Sequence, residues 1–464
     1  MRSFELLRAR SASPMIDTCA IVPFLACVYA TIVSPLIVGP LALFDTSAPI
    51  QGAEPGTPNR IFWPVIAAVS VILTLRNRSR LATLNWPPHI ICLLAYLALA
   101  GASGLWAFRP EISFTRYAQQ VMVLTSLVLP SMLAVRTADL MRGMFLCCAF
   151  GAILNLFFVL GNSPIIVESL NGYPGYFLGK NYLGEFSVIP FLLALHEMRY
   201  PGLRRVFGII TVGIATLLLF LANSKTAIGL AFIAPLLAGI TLTIRKIARV
   251  SPAIILLMIP LCYAVLSSVS GFNMYRISYI LYGDSTFTGR TLIWDFAQYE
   301  IDQRPLLGWG YQSFWLVGLD APSVVEAPGW LKSMPNAHSG YYDTKLELGY
   351  VGYTFLVIFI IATLHAIGRV AERDAGRAWL VLSLALFIIS YNYLESLWMR
   401  GFEFLWVVFV ILAVDIGRPF QPFPWQESPT DRTGGPEGGA RMPRLRIPMK
   451  SPSLPRSMRE NDRK

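Results

Sequence analysis

The sequence predicts an all-α polytopic integral membrane protein, with about twelve transmembrane helices and one long helical extracytoplasmic loop. The 464 residues are 55% hydrophobic and only 14% charged, which leaves too few charges to cover a soluble surface of this size. The mean hydropathy is +0.55. Apolar runs of roughly 17 to 25 residues, each long enough to cross the hydrocarbon core of a bilayer, recur along most of the chain.

Each predicted helix corresponds to one of these runs. The spans are 19–44, 61–75, 88–107, 117–134, 141–161, 182–197, 205–223, 227–244, 252–270, 350–367, 378–396 and 402–416. The first run is too long for a signal peptide and has no small-residue cleavage pattern after it, so we expect it to be retained. All six cysteines lie in apolar runs, which predicts small buried hydrophobes rather than disulfides or a thiolate metal site.

The runs divide the chain into five segments. Residues 1–18 form an N-terminus, 19–270 hold helices one to nine, 271–349 form the large loop, 350–416 hold the last three helices, and 417–464 form a tail. The tail is rich in proline, glycine and charge, which predicts disorder. With a cytoplasmic N-terminus and twelve crossings, 27 of the 38 lysines and arginines lie on the cytoplasmic side, as the positive-inside rule requires. That rule also explains the net charge of +11, so a nucleic-acid partner is not indicated.

The large loop is the one interruption of the helix series, and a loop of about 80 residues is more often functional than a tether. It contains a helix signal that begins near Thr288, repeats apolar residues, and stops at Pro305. Arg290 stands near the start of that helix, where the helix dipole disfavours a cation. An anionic ligand would offset this cost, because helix amides and a guanidinium together bind phosphate. An exposed arginine paired with Asp284 or Asp295 is the alternative.

Ionisable residues gather at the outer ends of the predicted helices. They are Arg109, Arg116, Lys180, Glu185, Lys225, Glu395, Arg400 and Glu403. Each of these residues alone can be explained as a charged side chain that extends from a helix end into the membrane–water interface. Lys225 is the hardest to explain in this way, because the turn LANSKTAIG is so short that its ammonium must lie near the membrane. Together these residues predict an outward-facing polar chamber in which cations outnumber carboxylates.

His338 lies in the stretch NAHSGYYDTKLELGYVG, where polar sequence turns into an apolar helix. With Asn336 as the N-cap, His338, Tyr341 or Tyr342, and Lys345 would share one helix face. A histidine in the first turn of a helix is held neutral, as a general base must be. If His338 is only structural, Glu185 and Glu395 remain as candidate bases.

The loop carboxylates show no spacing that is typical of a metal site. Asp343 and Glu347 share a helix face, and we expect them to be solvated. No phosphate-binding loop, dinucleotide fingerprint or nucleophile elbow occurs in a usable context, so no cofactor is expected.

The loop motifs FTGRTLIWDFAQYEIDQRPLLGWGYQSFW and NAHSGYYDTKLELGYVG resemble those of the bacterial O-antigen ligase and polysaccharide polymerase family, most closely its exopolysaccharide production branch. WAFRPEISFTR, YFLGKNYLGEF and the NSKTA turn also match, so the resemblance covers roughly residues 100–400. Two departures stand out. The turn has Lys225 where the family usually has arginine, and Ser339 stands where the family usually has asparagine.

The resemblance implies a metal-independent glycosyltransferase of the bacterial inner membrane, with its active site facing the periplasm. Such an enzyme moves a glycan from an undecaprenyl diphosphate carrier to an acceptor sugar. By motif, His338 is the acceptor base, and Arg290 and Lys225 bind the diphosphate, with Lys180 and Arg116 as further candidates. Tyr341, Trp309 and Trp315 are candidate glycan-binding residues, although an interfacial aromatic belt explains them equally well.

Three functions remain open at this stage. A polymerase that joins lipid-linked repeat units is the leading hypothesis, and a chain-length regulator of the export machinery would be a natural partner. A ligase that passes a finished glycan to a lipid core or another acceptor uses the same donor chemistry. A transporter or flippase of lipid-linked sugars would need ionisable residues near the bilayer midplane and matched halves, and the sequence shows neither.

Overall fold

A computed structural model describes residues 18–37, 57–82, 84–134, 140–270, 276, 279–280, 283, 287 and 289–418. The predicted N-terminus, most of the first part of the loop, including Asp284 and Thr288, and nearly all of the predicted tail lie outside these residues. Within them the chain is helical and contains no strand. The helices are α1 Thr18–Val28, α2 Thr57–Arg76, α3 Arg78–Ala82, α4 Pro88–Ala102, α5 Pro110–Leu133, α6 Leu140–Gly161, α7 Pro164–Leu170, α8 Lys180–Glu197, α9 Leu203–Leu221, α10 Lys225–Ala248, α11 Pro252–Ser270, α12 Arg290–Gln303, α13 Pro322–Val325, α14 Gly340–Arg373, α15 Ala375–Tyr391 and α16 Phe404–Gly417.

The predicted fold class is confirmed. Each of the predicted apolar runs lies on a helix, although the end of the first run is outside the described residues. Among the described helices, eight are long and apolar enough to cross a bilayer, when α1 is counted with its helical continuation to Ile37 and α4 with its continuation to Leu105. Helices α15 and α16 are shorter but also apolar. The two other runs fall on α5 and α8, which carry polar residues in their first turns. The number of crossings therefore stays a prediction.

Helix α16 lies at the centre of the bundle. Every residue from Phe404 to Ile416 is buried, and its aromatic side chains stack inside the core, as Trp406 does on Phe409. Helix α11 is the opposite case, since apolar side chains such as Val265, which is 58% exposed, cover its surface. An exposed apolar surface on a long apolar helix is the surface that lipid covers.

The second half of the large loop has a hydrophobic core of its own. Side chains of α12, the following turns and the start of α14 form it: Ile293, Phe296, Ala297, Ile301, Trp309, Phe314, Trp315, Ala327, Leu331, Ala337 and Leu346. The predicted loop helix is confirmed as α12, which begins at Arg290 and ends before Pro305.

A break in α14 fixes this part of the loop to the helix bundle. Gly349 has a φ of 64°, a backbone conformation that glycine adopts without a steric cost. The groups freed by the break bond to the loop: the amide of Tyr350 donates to the Pro305 carbonyl at 2.8 Å, and the amide of Trp309 donates to the Leu346 carbonyl at 2.9 Å. These bonds pair backbone groups at the break and hold the described part of the loop against α14.

Candidate active site

Three predicted cations are each the first residue of a helix. Lys180 begins α8, Lys225 begins α10 and Arg290 begins α12. None of the three preceding N-cap residues caps its helix with a side-chain hydrogen bond. A helix N-terminus carries a partial positive charge, so a cation there is unfavourable unless an anion is bound nearby.

The three cations line one cavity of about 310 Å³. Its other walls come from the turn after α7, the NSKTA turn and the end of α15: Asn171, Asn181, Asn223, Ser224, Thr226, Tyr391, Leu394 and Glu395. The Lys180 ammonium donates to the Asn171 carbonyl at 3.0 Å. Three cations against one carboxylate make this cavity attractive to an anion with several negative charges, such as a diphosphate.

Glu395 connects this cavity to His338. The guanidinium of Arg290 donates to Oε1 of Glu395 at 2.7 Å. Nδ1 of His338 lies 3.2 Å from Oε2 of the same carboxylate. The side chains of Arg290, His338 and Glu395 are 18%, 32% and 20% exposed, so the site is partly shielded yet accessible. A carboxylate accepts from Nδ1–H, which leaves Nε2 with a lone pair that can take a proton.

The predicted position of His338 within the first turn of a helix is wrong. Helix α14 begins at Gly340, and its N-cap is Ser339. Asn336 accepts the amide of His338 at 2.9 Å, and His338 has a φ of 45°. The bond from the His338 amide to Asn336 is the one that an N-cap would make, but the left-handed backbone of His338 is incompatible with a right-handed helix at that position, so the helix begins later. His338 is therefore placed by the turn and by Glu395.

Arg116 lies apart from the other three cations. It lines a second cavity of about 260 Å³, to which Gln312, Asn336, Ser396 and Arg400 also contribute. Its guanidinium donates to the Gln312 carbonyl. The structure thus brings Lys180, Lys225 and Arg290 together and leaves Arg116 outside their cavity.

The expectation that Asp343 and Glu347 are solvated is wrong. Both side chains are buried, and both pair with Arg400, at 3.1 Å for Asp343 and 2.8 Å for Glu347. Burial alone would lower the pKa of Arg400, but these two carboxylates raise it above its usual value. Asp343 also accepts from the amide of Ala337 at 3.1 Å, which ties the segment before His338 to this buried cluster.

The three candidate glycan-binding aromatics differ in position. Trp309 is buried in the loop core, with the Arg304 guanidinium 4.1 Å from its ring centre. Tyr341 is half-buried and donates its hydroxyl to the Ile389 carbonyl at 2.9 Å. Trp315 lines the second cavity and donates to Asp343 at 2.8 Å. Of the three, Trp315 borders space that a ligand can occupy.

The sequence predicted Glu395 as one residue of the outer chamber and as an alternative base, but it did not predict that Glu395 links Arg290 to His338. Within the described residues, no group of three or more histidines, cysteines or acids is arranged to hold a metal ion. The chemistry that this arrangement offers is anion binding beside an oriented histidine.

Two comparisons with known proteins agree with this geometry. Residues 210–357 match the family model described as O-antigen ligase, and this stretch contains Lys225, Arg290 and His338. The exopolysaccharide production protein ExoQ of Rhizobium meliloti is 24% identical over 305 residues, which cover 62% of this chain and 68% of that protein. The two matches support the resemblance found in the sequence to the O-antigen ligase and polysaccharide polymerase family.

Proposed function

We propose that this protein is a glycosyltransferase of the bacterial inner membrane, which polymerises undecaprenyl-diphosphate-linked oligosaccharide repeat units at the periplasmic face. The observation that carries the proposal is the cavity with three cations, which Glu395 connects to His338. The name of the relative, an exopolysaccharide production protein, agrees with this role.

The reaction needs a base and a stabilised leaving group. An acceptor hydroxyl forms a bond to the anomeric carbon of the donor sugar, and the bond from that carbon to the phosphate oxygen breaks. The lipid diphosphate leaves with the electron pair of this bond, and Nε2 of His338 takes the hydroxyl proton. Lys180, Lys225 and Arg290 lie where the negative charge on the diphosphate grows, and fixed cations lower the barrier most at that point.

The lipid carrier explains the position of the site. A donor anchored by a polyprenyl chain presents its diphosphate at the membrane surface. All three cations stand at the ends of bundle or loop helices, and the opposite end carries basic residues such as Arg245, which pairs with Glu372 at 2.7 Å. The positive-inside rule assigns that opposite end to the cytoplasm, so the cavity would face the periplasm.

A ligase is the second candidate, because the matched family model is described as O-antigen ligase. It would use the same donor cavity and the same base with a different acceptor. Cells that lack a polymerase accumulate single lipid-linked units, whereas cells that lack a ligase accumulate long unattached chains. Glycan analysis of a deletion strain separates the two.

The test uses cells whose only copy of the protein is His338→Ala or Arg290→Ala, with protein levels confirmed. We expect single repeats in place of polymer on a gel. His365→Ala is the matched control, because His365 bonds to Ser251 at 2.9 Å away from the cavity; it should make normal polymer. Full-length polymer from both site variants would refute the proposed mechanism.

A further inference from the structure

The second cavity is lined by sequence neighbours of His338 and Glu395. Asn336, in its wall, accepts the amide of His338 at 2.9 Å. Ser396, also in its wall, follows Glu395 and accepts the amide of Ser339 at 3.0 Å. Glu395 itself lines the first cavity. Glu395 of the His338–Glu395 pair thus lines the first cavity, and Asn336 and Ser396, which neighbour the pair in the sequence, line the second.

The charges of the second cavity are more nearly balanced than those of the first. Its two cations are Arg116 and Arg400, and Glu403 is its one carboxylate. Arg400 is already paired with the two buried carboxylates of Asp343 and Glu347. With those carboxylates included, cations are not in excess around this cavity. A diphosphate is therefore favoured in the first cavity over the second.

The remaining wall groups suit a neutral compound with many hydroxyls. Gln119, Gln312 and Asn336 bring side-chain amides, which can donate and accept hydrogen bonds. Trp315 contributes an aromatic wall with an apolar surface. Amides and an aromatic ring in a concave site of this size form a mixed polar and apolar lining that orients a small ligand.

We infer that the second cavity is the acceptor subsite, which binds the uncharged sugar whose hydroxyl attacks the donor. This inference rests on the proposed function and adds a place for the second substrate. It also gives Arg116 a different role: its guanidinium holds the Gln312 carbonyl and so shapes the acceptor wall.

The test measures both substrates with the purified full-length protein in detergent. The donor is the lipid-linked repeat unit extracted from the source cells. The acceptor is the same oligosaccharide released from its carrier by mild acid and tagged at its reducing end, so that only extension of the tagged sugar is counted. KM is determined for each substrate with the other at saturation.

Gln119→Trp fills the second cavity, and Gln119→Ala removes only the amide. We expect the KM for the acceptor to rise about tenfold in the first variant and about threefold in the second, which corresponds to the loss of one or two hydrogen bonds. The KM for the donor should stay within about twofold of wild type. Lys180→Ala should raise the KM for the donor and leave the KM for the acceptor close to that of wild type. Phe114→Trp is the matched control, because Phe114 is 67% exposed on the same helix.

The outcomes separate the two proposals. Wild-type protein that extends no acceptor would overturn the proposed function and the acceptor subsite with it. Wild-type protein that transfers normally, while both Gln119 variants keep the acceptor KM of wild type, would overturn the subsite alone. A rise in the donor KM of those variants without a rise for the acceptor would also overturn it, since it would assign the second cavity to the donor.

Discussion

Replacing Glu395 by glutamine tests the link between the cation cavity and His338. The change keeps the size of the side chain and replaces one carboxylate oxygen by an NH2 group. Arg290 can only donate, so the remaining oxygen must face its guanidinium, 2.7 Å away in the native protein. The NH2 group then faces Nδ1 of His338 and forces that nitrogen to accept. The proton of the imidazole moves to Nε2, which can no longer act as a base.

The expected loss follows from the step that is blocked. General base catalysis contributes about 10²- to 10⁴-fold in rate, or about 2.7 to 5.5 kcal/mol of the barrier. In the transfer assay with purified protein, kcat of Glu395→Gln should fall by that factor. The KM for the lipid-linked donor should not rise, because the change removes the one carboxylate among the described residues that line the cavity with the three cations.

Asp320→Asn is the matched control for Glu395→Gln. Asp320 accepts from the Arg109 guanidinium at 2.5 Å in an exposed pair, so this variant loses an arginine–carboxylate pair of the same kind away from the cavity. Its kcat should match that of wild type. If kcat of Glu395→Gln stays within about threefold of wild type, Glu395 does not set the tautomer of His338, and the assignment of the base fails.

Two further predictions concern stability. Gly349→Ala should lower the melting temperature in detergent and the protein level in membranes, because a Cβ there would lie 2.1 Å from the Leu306 carbonyl oxygen. The control is Gly213→Ala, where a Cβ meets nothing within 4 Å, and it should leave both quantities unchanged. Equal melting temperatures and protein levels of the two variants would contradict the argument. Burial, together with the charge of Glu326, raises the pKa of Glu300 from 4.5 to about 7. Between these two pH values the folded protein holds a proton that the unfolded chain releases. The free energy of unfolding therefore falls as the pH rises from 4.5 to about 7. Glu300→Gln should remove this fall when melting temperature is followed from pH 5 to 8, and an unchanged pH dependence would rule out Glu300 as its source.

The helices were predictable because each needs only a local property, an apolar run of sufficient length. The residue at which α14 begins was not predictable in this way. Asn336 accepts the amide of His338, as an N-cap does, but His338 has a φ of 45° and the helix begins four residues after Asn336. The surrounding contacts, such as that between Ala337 and Asp343, decide this backbone conformation. A sequence pattern does not contain those contacts.

The cations of the site were predictable for the same reason, since a charge at the outer end of an apolar helix is costly and therefore conspicuous. The link that Glu395 makes was not predictable, because it depends on Arg290 and His338, which are 105 and 57 residues away in the chain. Asp343 and Glu347 were misjudged because their common partner, Arg400, lies beyond the whole length of α14 and α15. The spacing of Asp343 and Glu347 is typical of a solvated helix face, but their pairing with Arg400 allows both carboxylates to be buried.

The position of Lys225 explains how the site can work with lysine where related sequences usually have arginine. A guanidinium offers charge and two directed N–H groups, whereas an ammonium offers a compact charge. Lys225 is the first residue of α10, and the amides of a helix N-terminus are themselves directed donors toward an anion. Arg290, at the start of α12, supplies a guanidinium to the same cavity. Under the proposed function, the diphosphate would receive directed hydrogen bonds from Arg290 and the helix starts, so residue 225 needs to add positive charge only.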